Sequence, residues 1–155
     1  MYFAMIAGLM LVLPLVSIVI EGVATGWSVD ALTLVGTWFV FWGIGVRLFV
    51  AGISQTVRPG FTAENILGKK DADADQIVQE LGFANLSFGV VAILSLPFPS
   101  WLAPAALAGG LYLLIAGIRH LPKRNKNIKE WFATVSDLLV GVIAVFVAIA
   151  TLVRG

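Results

Sequence analysis

Five apolar runs, each long enough to cross a lipid bilayer as a helix, constrain this chain more than any other feature. A membrane-spanning helix needs about 17–25 predominantly apolar residues. The 155-residue chain is 59% hydrophobic and only 12% charged, whereas soluble domains carry about 25% charged residues. The sequence therefore predicts an all-α polytopic membrane bundle in a single domain. The predicted spans are residues 2–20, 31–53, 81–98, 101–118 and 131–153, with a cytoplasmic amphipathic loop at 58–80.

The basic residues predict how this bundle is oriented. Lys and Arg lie between the second and third spans and between the fourth and fifth, whereas the two loops on the other side contain neither. Cytoplasmic loops carry the excess of Lys and Arg, so we expect the amino terminus inside and the carboxyl terminus outside the inner, cytoplasmic membrane. The first run has no basic n-region and is predicted to be a retained helix, not a signal peptide.

Composition narrows the possible functions. The chain has no Cys and a single His, which argues against disulfide chemistry and against a Cys/His zinc site built from one chain. The formal net charge is +1, which gives no reason to expect a nucleic-acid partner. Neither a nucleophile triad nor a phosphate-binding loop follows from the sequence. It therefore favours a protein that is not an enzyme and has no metal site.

One charge lies inside the second predicted span, at Arg47. An arginine near the middle of a membrane helix costs about 2.5–3.5 kcal/mol to insert, so it needs a partner, water or a route to the surface. At a rise of about 1.5 Å per residue, Asp137 of the fifth span lies at a matching depth. We predict that Arg47 pairs with Asp137, that Asn85 bridges them, and that His120 and Gln55 line the mouth of a polar chamber in the cytoplasmic half.

Small residues share helix faces with these polar ones. At the helical period, Asn85 shares a face with Gly89, and Asp137 shares one with Gly141. Small residues let membrane helices approach closely, and polar residues hydrogen-bond across the contact. The alternative interpretation is that the Arg47 pair only fixes helix register, with His120 an interfacial residue and Glu21 a solvated one.

The residues also resemble a known family. The segments GVRLFVAGISQTVRP, ELGFANLSFGVVAILSL, LAGGLYLLIAGIRHL and SDLL resemble the DoxX-like small membrane proteins, and more closely an uncharacterised prokaryotic five-span group. The resemblance covers residues 38–147 and implies a four-helix core from spans two to five, with span one outside it. Some DoxX-like proteins are membrane subunits of quinone-linked oxidoreductases. Arg47, Glu80 and His120 match the family pattern.

Three functions stay open at this point. The leading one is an accessory or assembly subunit, or a binder of a small apolar ligand at the Arg47 seam. The second is a subunit of a quinone-linked oxidoreductase, with quinone as the possible cofactor bound by Arg47, Asn85 or His120. The third is a pathway for protons or small solutes. The first helix is predicted to mediate a homo-oligomer or a larger membrane complex, because small bundles bury residual faces by association.

Overall fold

A computed structural model describes residues 7–64, 71–122, 126 and 128–154, and these residues contain helices but no strands. Each helix is named here in chain order. They are α1 (Gly8–Ala24), α2 (Ala31–Val57), α3 (Pro59–Thr62), α4 (Ala72–Leu94), α5 (Leu102–His120) and α6 (Ile128–Arg154). A short 3-10 turn, Pro99–Trp101, precedes α5.

Four of these helices are long and apolar enough to cross a membrane: α2, α4, α5 with its preceding turn, and α6. The prediction of an α-helical membrane protein is confirmed at this level. Helix α1 is a shorter apolar helix over its described length, and the predicted start of the first span lies outside the described residues. A fifth span therefore stays a prediction.

Several helices begin or end at residues other than those of the predicted spans. Helix α4 begins at Ala72, close to the helix start that the capping pattern of Asp73 and Gln76 indicates in the sequence. The observed cap is Asp71, whose side chain accepts a hydrogen bond from the Ala74 backbone N–H at 2.7 Å. It ends at Leu94, before the Pro-containing turn. Helix α2 continues to Val57, four residues beyond its predicted end. Helix α1 continues to Ala24.

The bundle core is built from two close antiparallel pairs, α2 with α4 and α5 with α6. A methyl group placed on Gly89 of α4 would lie 2.6 Å from the Phe49 backbone nitrogen of α2, and one on Gly141 of α6 would lie 2.8 Å from the Leu114 nitrogen of α5. Glycine is required where backbones approach this closely. Both predicted small-residue faces are therefore buried helix contacts.

Helix α1 packs against α2 instead of standing apart from the core. Met10 of α1 is buried in the same apolar cluster as Val40 and Ile44 of α2. The Trp38 indole N–H donates to the Glu21 carboxylate, and the Trp42 indole N–H donates to the Ser17 hydroxyl at 3.0 Å. The prediction that Glu21 is simply solvated is wrong, since its carboxylate is half-buried and accepts a hydrogen bond from α2.

Helices α2 and α5 end, and α4 and α6 begin, at one end of the bundle, here called the basic end because Arg58 and Arg119 lie there. The α1–α2 and α4–α5 connections lie at the opposite end. Among the described residues, Asp137 of α6 is the one charged residue that is buried.

Candidate functional site

The candidate site begins where α2 changes its winding. Residues Phe39–Val46 form a π-helix, and Arg47 is the first residue of the α-helix that follows. π-helical winding is rare and concentrates at functional sites. Two glycines of this segment are buried at helix contacts: Gly43 faces Val140 of α6, and Gly45 lies against the Ile93 backbone of α4. The segment therefore carries Arg47 into the junction of α2, α4 and α6.

Arg47 forms the predicted ion pair with Asp137. Its Nη2 atom contacts the Asp137 carboxylate and also donates to the Ser136 hydroxyl at 3.3 Å. The two charged side chains are only 13% and 11% exposed. Counted from Val57 and from Ile128, Arg47 and Asp137 lie about 15 Å and 14 Å from the basic end, at 1.5 Å per residue. The pair is therefore a buried, internally neutral unit close to the middle of the bundle.

The pair leaves part of the arginine without a partner. Among the described residues, the buried Arg47 Nη1 has no hydrogen-bond partner, and neither does the buried Asn85 Oδ1. Leaving one buried donor or acceptor unpaired costs about 1–3 kcal/mol. A donor and an acceptor thus remain available in the bundle interior.

Asn85 does not form the predicted bridge between Arg47 and Asp137. Its Nδ2 instead donates to Gln55 Oε1 at 2.6 Å, and the Asn85 side chain is 4% exposed. Gln55 is half-buried and lies two residues before the end of α2. These two amides therefore lead from the interior toward the basic end.

Tyr112 of α5 joins these groups. Its hydroxyl lies close to Asn85 and within electrostatic reach of both Arg47 and Asp137. The ring packs against Phe88 of α4, with centroids 5.0 Å apart and a 33° angle between the ring planes. We call Arg47, Asn85, Tyr112 and Asp137, with Gln55 at its edge, the polar cluster.

The remaining predicted site residues lie outside the polar cluster. His120 ends α5 and is exposed, although it lies within electrostatic reach of Asp137. Glu80 is exposed on α4, and its carboxylate accepts a hydrogen bond from Gln76, one turn earlier, at 3.1 Å. The described residues contain no group of three His, Cys, Asp or Glu side chains that could hold a metal ion.

Comparison with protein families gives one match. The profile of a family of unknown function, DUF6790, covers residues 1–154. The chain belongs to the DUF6790 family. No curated protein and no solved structure gives a significant match. The family description names no activity, and the resemblance to DoxX-like proteins stays a prediction.

The sequence did not point to two residues of this DUF6790 chain: Tyr112 in the polar cluster, and Ser136 beside it. Tyr112 is one of two tyrosines in the chain, and a phenol within an apolar run was a signal that it needs a polar partner. Ser136 gave a weaker signal, because a serine in a membrane helix often bonds its own backbone. Its hydroxyl does donate to the Ala133 carbonyl, at 2.6 Å, while it accepts from Arg47.

Proposed function

We propose that this protein is a non-enzymatic membrane protein that binds a small uncharged ligand at the polar cluster. The proposal rests on two of the three buried side-chain atoms that have no hydrogen-bond partner among the described residues, Arg47 Nη1 and Asn85 Oδ1. The first donates a hydrogen bond and the second accepts one. A ligand with an oxygen acceptor next to a hydroxyl or amide donor would satisfy both.

Charge balance favours an uncharged ligand. The Arg47 charge is already compensated by Asp137, so an anionic ligand would face the Asp137 carboxylate and a cationic one the guanidinium. The surrounding core is apolar, with Ile44, Leu48 and Leu113 buried around the same level. Burying a net charge there would be costly. The ligand expected is a mostly apolar molecule with one small polar group.

The side-chain amides of Asn85 and Gln55 indicate how a ligand would reach the polar cluster. Gln55 is half-buried and bonded to Asn85, so movement of its side chain would open the polar cluster toward the basic end. The positive-inside pattern places this end in the cytoplasm in our proposal. The ligand would then reach the site from the cytoplasmic leaflet or the cytosol.

Native mass spectrometry of the full chain, released gently from its own membranes, tests the proposal. We expect wild-type protein to carry a small molecule that Asn85→Ala loses. Ser87→Ala is the matched control, because Ser87 lies on the exposed face of the same helix and its hydroxyl donates to the Phe83 carbonyl of that helix. Bare wild-type protein, or equal retention by Asn85→Ala, would contradict ligand binding at this place.

The second candidate is a membrane subunit of a quinone-linked oxidoreductase. The Phe88–Tyr112 ring pair beside Asn85 favours a flat ligand, and a quinone carbonyl would accept from Arg47 Nη1. A reduced quinone would also donate its hydroxyl to Asn85 Oδ1. Lipid extraction and an ultraviolet absorption spectrum of the purified protein distinguish this candidate, since a quinone gives a characteristic band that changes on reduction with borohydride.

The third candidate is a proton pathway. Exposed His120 and buried Asp137 lie within electrostatic reach of each other, and an imidazole can both accept and donate a proton. Proton flux into liposomes containing the protein tests this candidate. Flux that Asp137→Asn abolishes would favour a pathway, and flux no greater than in protein-free liposomes would exclude it.

Association is the remaining part of the proposal. Helix α1 packs on α2 by one face and exposes its large apolar side chains on the other, including Leu15, Val19 and Val23. We propose that this face contacts a second copy or a partner subunit in the membrane. The mass of the particle in a mild detergent tests it, and a monomer at every detergent concentration would argue against it.

A further inference from the structure

A groove separate from the polar cluster lies at the opposite end of the bundle. It has a volume of about 470 Å³ and lies between the start of α2 and the second half of α6. Its walls are apolar side chains such as Leu32, Val35, Val142 and Phe146, and the one charged lining residue is Arg154. Such a groove excludes polar ligands along its length and accepts a hydrocarbon chain.

The length of the groove matches one leaflet of a membrane. From Val142 to Arg154 the α6 axis covers about 18 Å at 1.5 Å per residue. Half of a hydrocarbon core of about 30 Å is close to this length. An extended acyl chain that starts at the membrane surface near Arg154 would therefore reach the inner end of the groove.

Two opposite charges lie at the surface end. Arg154 Nη1 donates to Asp30 Oδ1 at 3.0 Å, and the two side chains remain 63% and 53% exposed. Asp30 also caps α2, accepting from the Leu32 and Thr33 backbone N–H groups. Hydrogen bonds from Thr33 hold the pKa of the Asp30 carboxyl below its usual range, so it is ionised at neutral pH. The two charges compensate each other, so a headgroup that binds here has to replace this exposed ion pair with one contact to each side chain.

From this geometry we infer that the groove binds one acyl chain of a phosphatidylethanolamine-type lipid, with its phosphate on Arg154 and its primary ammonium on Asp30. A zwitterionic headgroup matches both charges, whereas a purely anionic headgroup would face the Asp30 carboxylate. A primary ammonium can donate hydrogen bonds to that carboxylate. A quaternary ammonium has no N–H to donate, so the site distinguishes the two zwitterionic headgroups.

Small residues keep the groove open, so a larger side chain at one of them would block lipid binding. Ala31 and Ala150 both line it, so Ala150→Phe would fill it. Ala108→Phe is the matched control, because Ala108 is exposed on α5 and does not line the groove. Arg154→Gln and Asp30→Asn remove one charge each at an exposed position, and asparagine still caps a helix.

The test is native mass spectrometry of the delipidated full chain, titrated separately with dioleoyl phosphatidylethanolamine, phosphatidylcholine and phosphatidylglycerol. We expect one retained phosphatidylethanolamine per chain, bound about tenfold more tightly than either other lipid. Ala150→Phe should weaken this binding about tenfold while Ala108→Phe leaves it unchanged, and Asp30→Asn should abolish the preference over phosphatidylcholine. Should Ala150→Phe fail to fold, the exposed-charge variants still decide the question.

Several results would overturn the inference. Equal retention of all three lipids would show only the annular lipid that surrounds any membrane protein. Retention unaffected by both Ala150→Phe and Arg154→Gln would place the lipid elsewhere. A dimer that binds no lipid would show that a second copy covers the groove. None of these results bears on the polar cluster, whose ligand is tested by Asn85→Ala.

Discussion

The two halves of the bundle differ in how completely the polar side chains of their membrane helices are hydrogen-bonded. In the opposite half, the indole N–H groups of Trp38 and Trp42 each find one oxygen on α1. In the basic half, Arg47 and Asn85 bring more donors and acceptors than their neighbours satisfy. Paired polar contacts stabilise the helix packing, whereas buried polar atoms without a partner weaken it, and this difference is the reason for proposing a ligand at Arg47 and Asn85.

The largest effect should come from breaking the ion pair. Asp137→Ala leaves the Arg47 guanidinium buried without its counter-charge, so we expect a loss of about 3–5 kcal/mol in the free energy of unfolding. Denaturant titration in detergent micelles measures it. The double variant Arg47→Met with Asp137→Leu should regain most of this loss, because an apolar pair carries no desolvation penalty. A single variant as stable as wild type would refute burial of the pair.

Helix contacts should also differ between the halves. In the basic half, Gly89→Ala forces a methyl group against the Phe49 backbone, and we expect a loss of about 1–3 kcal/mol. In the opposite half, the atoms nearest to a methyl group on Gly22 belong to the Trp27 ring, which is 59% exposed and can move aside. The expected loss there is about 0.5 kcal/mol or less. Equal losses in the same titration would remove this difference between the halves.

The matched hydrogen bonds should each contribute a modest amount. Trp42→Phe removes the donor to Ser17 while keeping most of the ring, and we expect a loss of about 0.5–1.5 kcal/mol. Ser17→Ala should cost a similar amount, and the double variant should cost no more than either one. Additive losses would show that the two side chains act separately.

Asn85, whose Oδ1 atom has no hydrogen-bond partner, should contribute little to stability. Asn85→Leu removes one hydrogen bond and one unpaired acceptor together, so the ligand-free protein should stay within about 0.5 kcal/mol of wild type, or gain stability. The same variant should lose the bound ligand. A loss as large as that of Trp42→Phe would mean that Asn85 is a structural residue, and the comparison between the halves would fail.

The smallest effect concerns Asp30 at the surface of the opposite half. Hydrogen bonds from Thr33 lower the pKa of its carboxyl, so the stability that its charge contributes is present above the ordinary aspartate pKa of about 3.9. That contribution is lost as the pH falls through the lowered pKa. The thermal midpoint of wild type should therefore fall more between pH 5 and pH 3, on the order of a degree or two, than that of Asp30→Asn. An equal fall of the thermal midpoint in wild type and Asp30→Asn would contradict this prediction.

Much of the fold was predictable because membrane helices must be apolar and long. The pairing of Arg47 with Asp137 was also predictable, since counting residues from the helix ends gives depth, and few charges compete at that depth. That Asn85 bonds Gln55 instead of Arg47 was not predictable. This hydrogen bond depends on the direction of the side chains across the α2–α4 contact at Gly89. The start of α4 was predictable to within two residues, because Asp73 followed by Gln76 is a capping pattern, whereas hydropathy alone does not recognise these polar helical turns.

The π-helical segment of α2 has a consequence for how the two halves influence each other. Each residue added to or removed from a helix rotates all that follows by about 100°. The winding of Phe39–Val46 thus sets the angle between the side of α2 that bonds α1 and the side that pairs with α6. A change of this segment from π-helical to α-helical winding would rotate Arg47 about the helix axis relative to Trp38. The hydrogen bonds on one side and the ion pair on the other would therefore be mechanically coupled across the membrane.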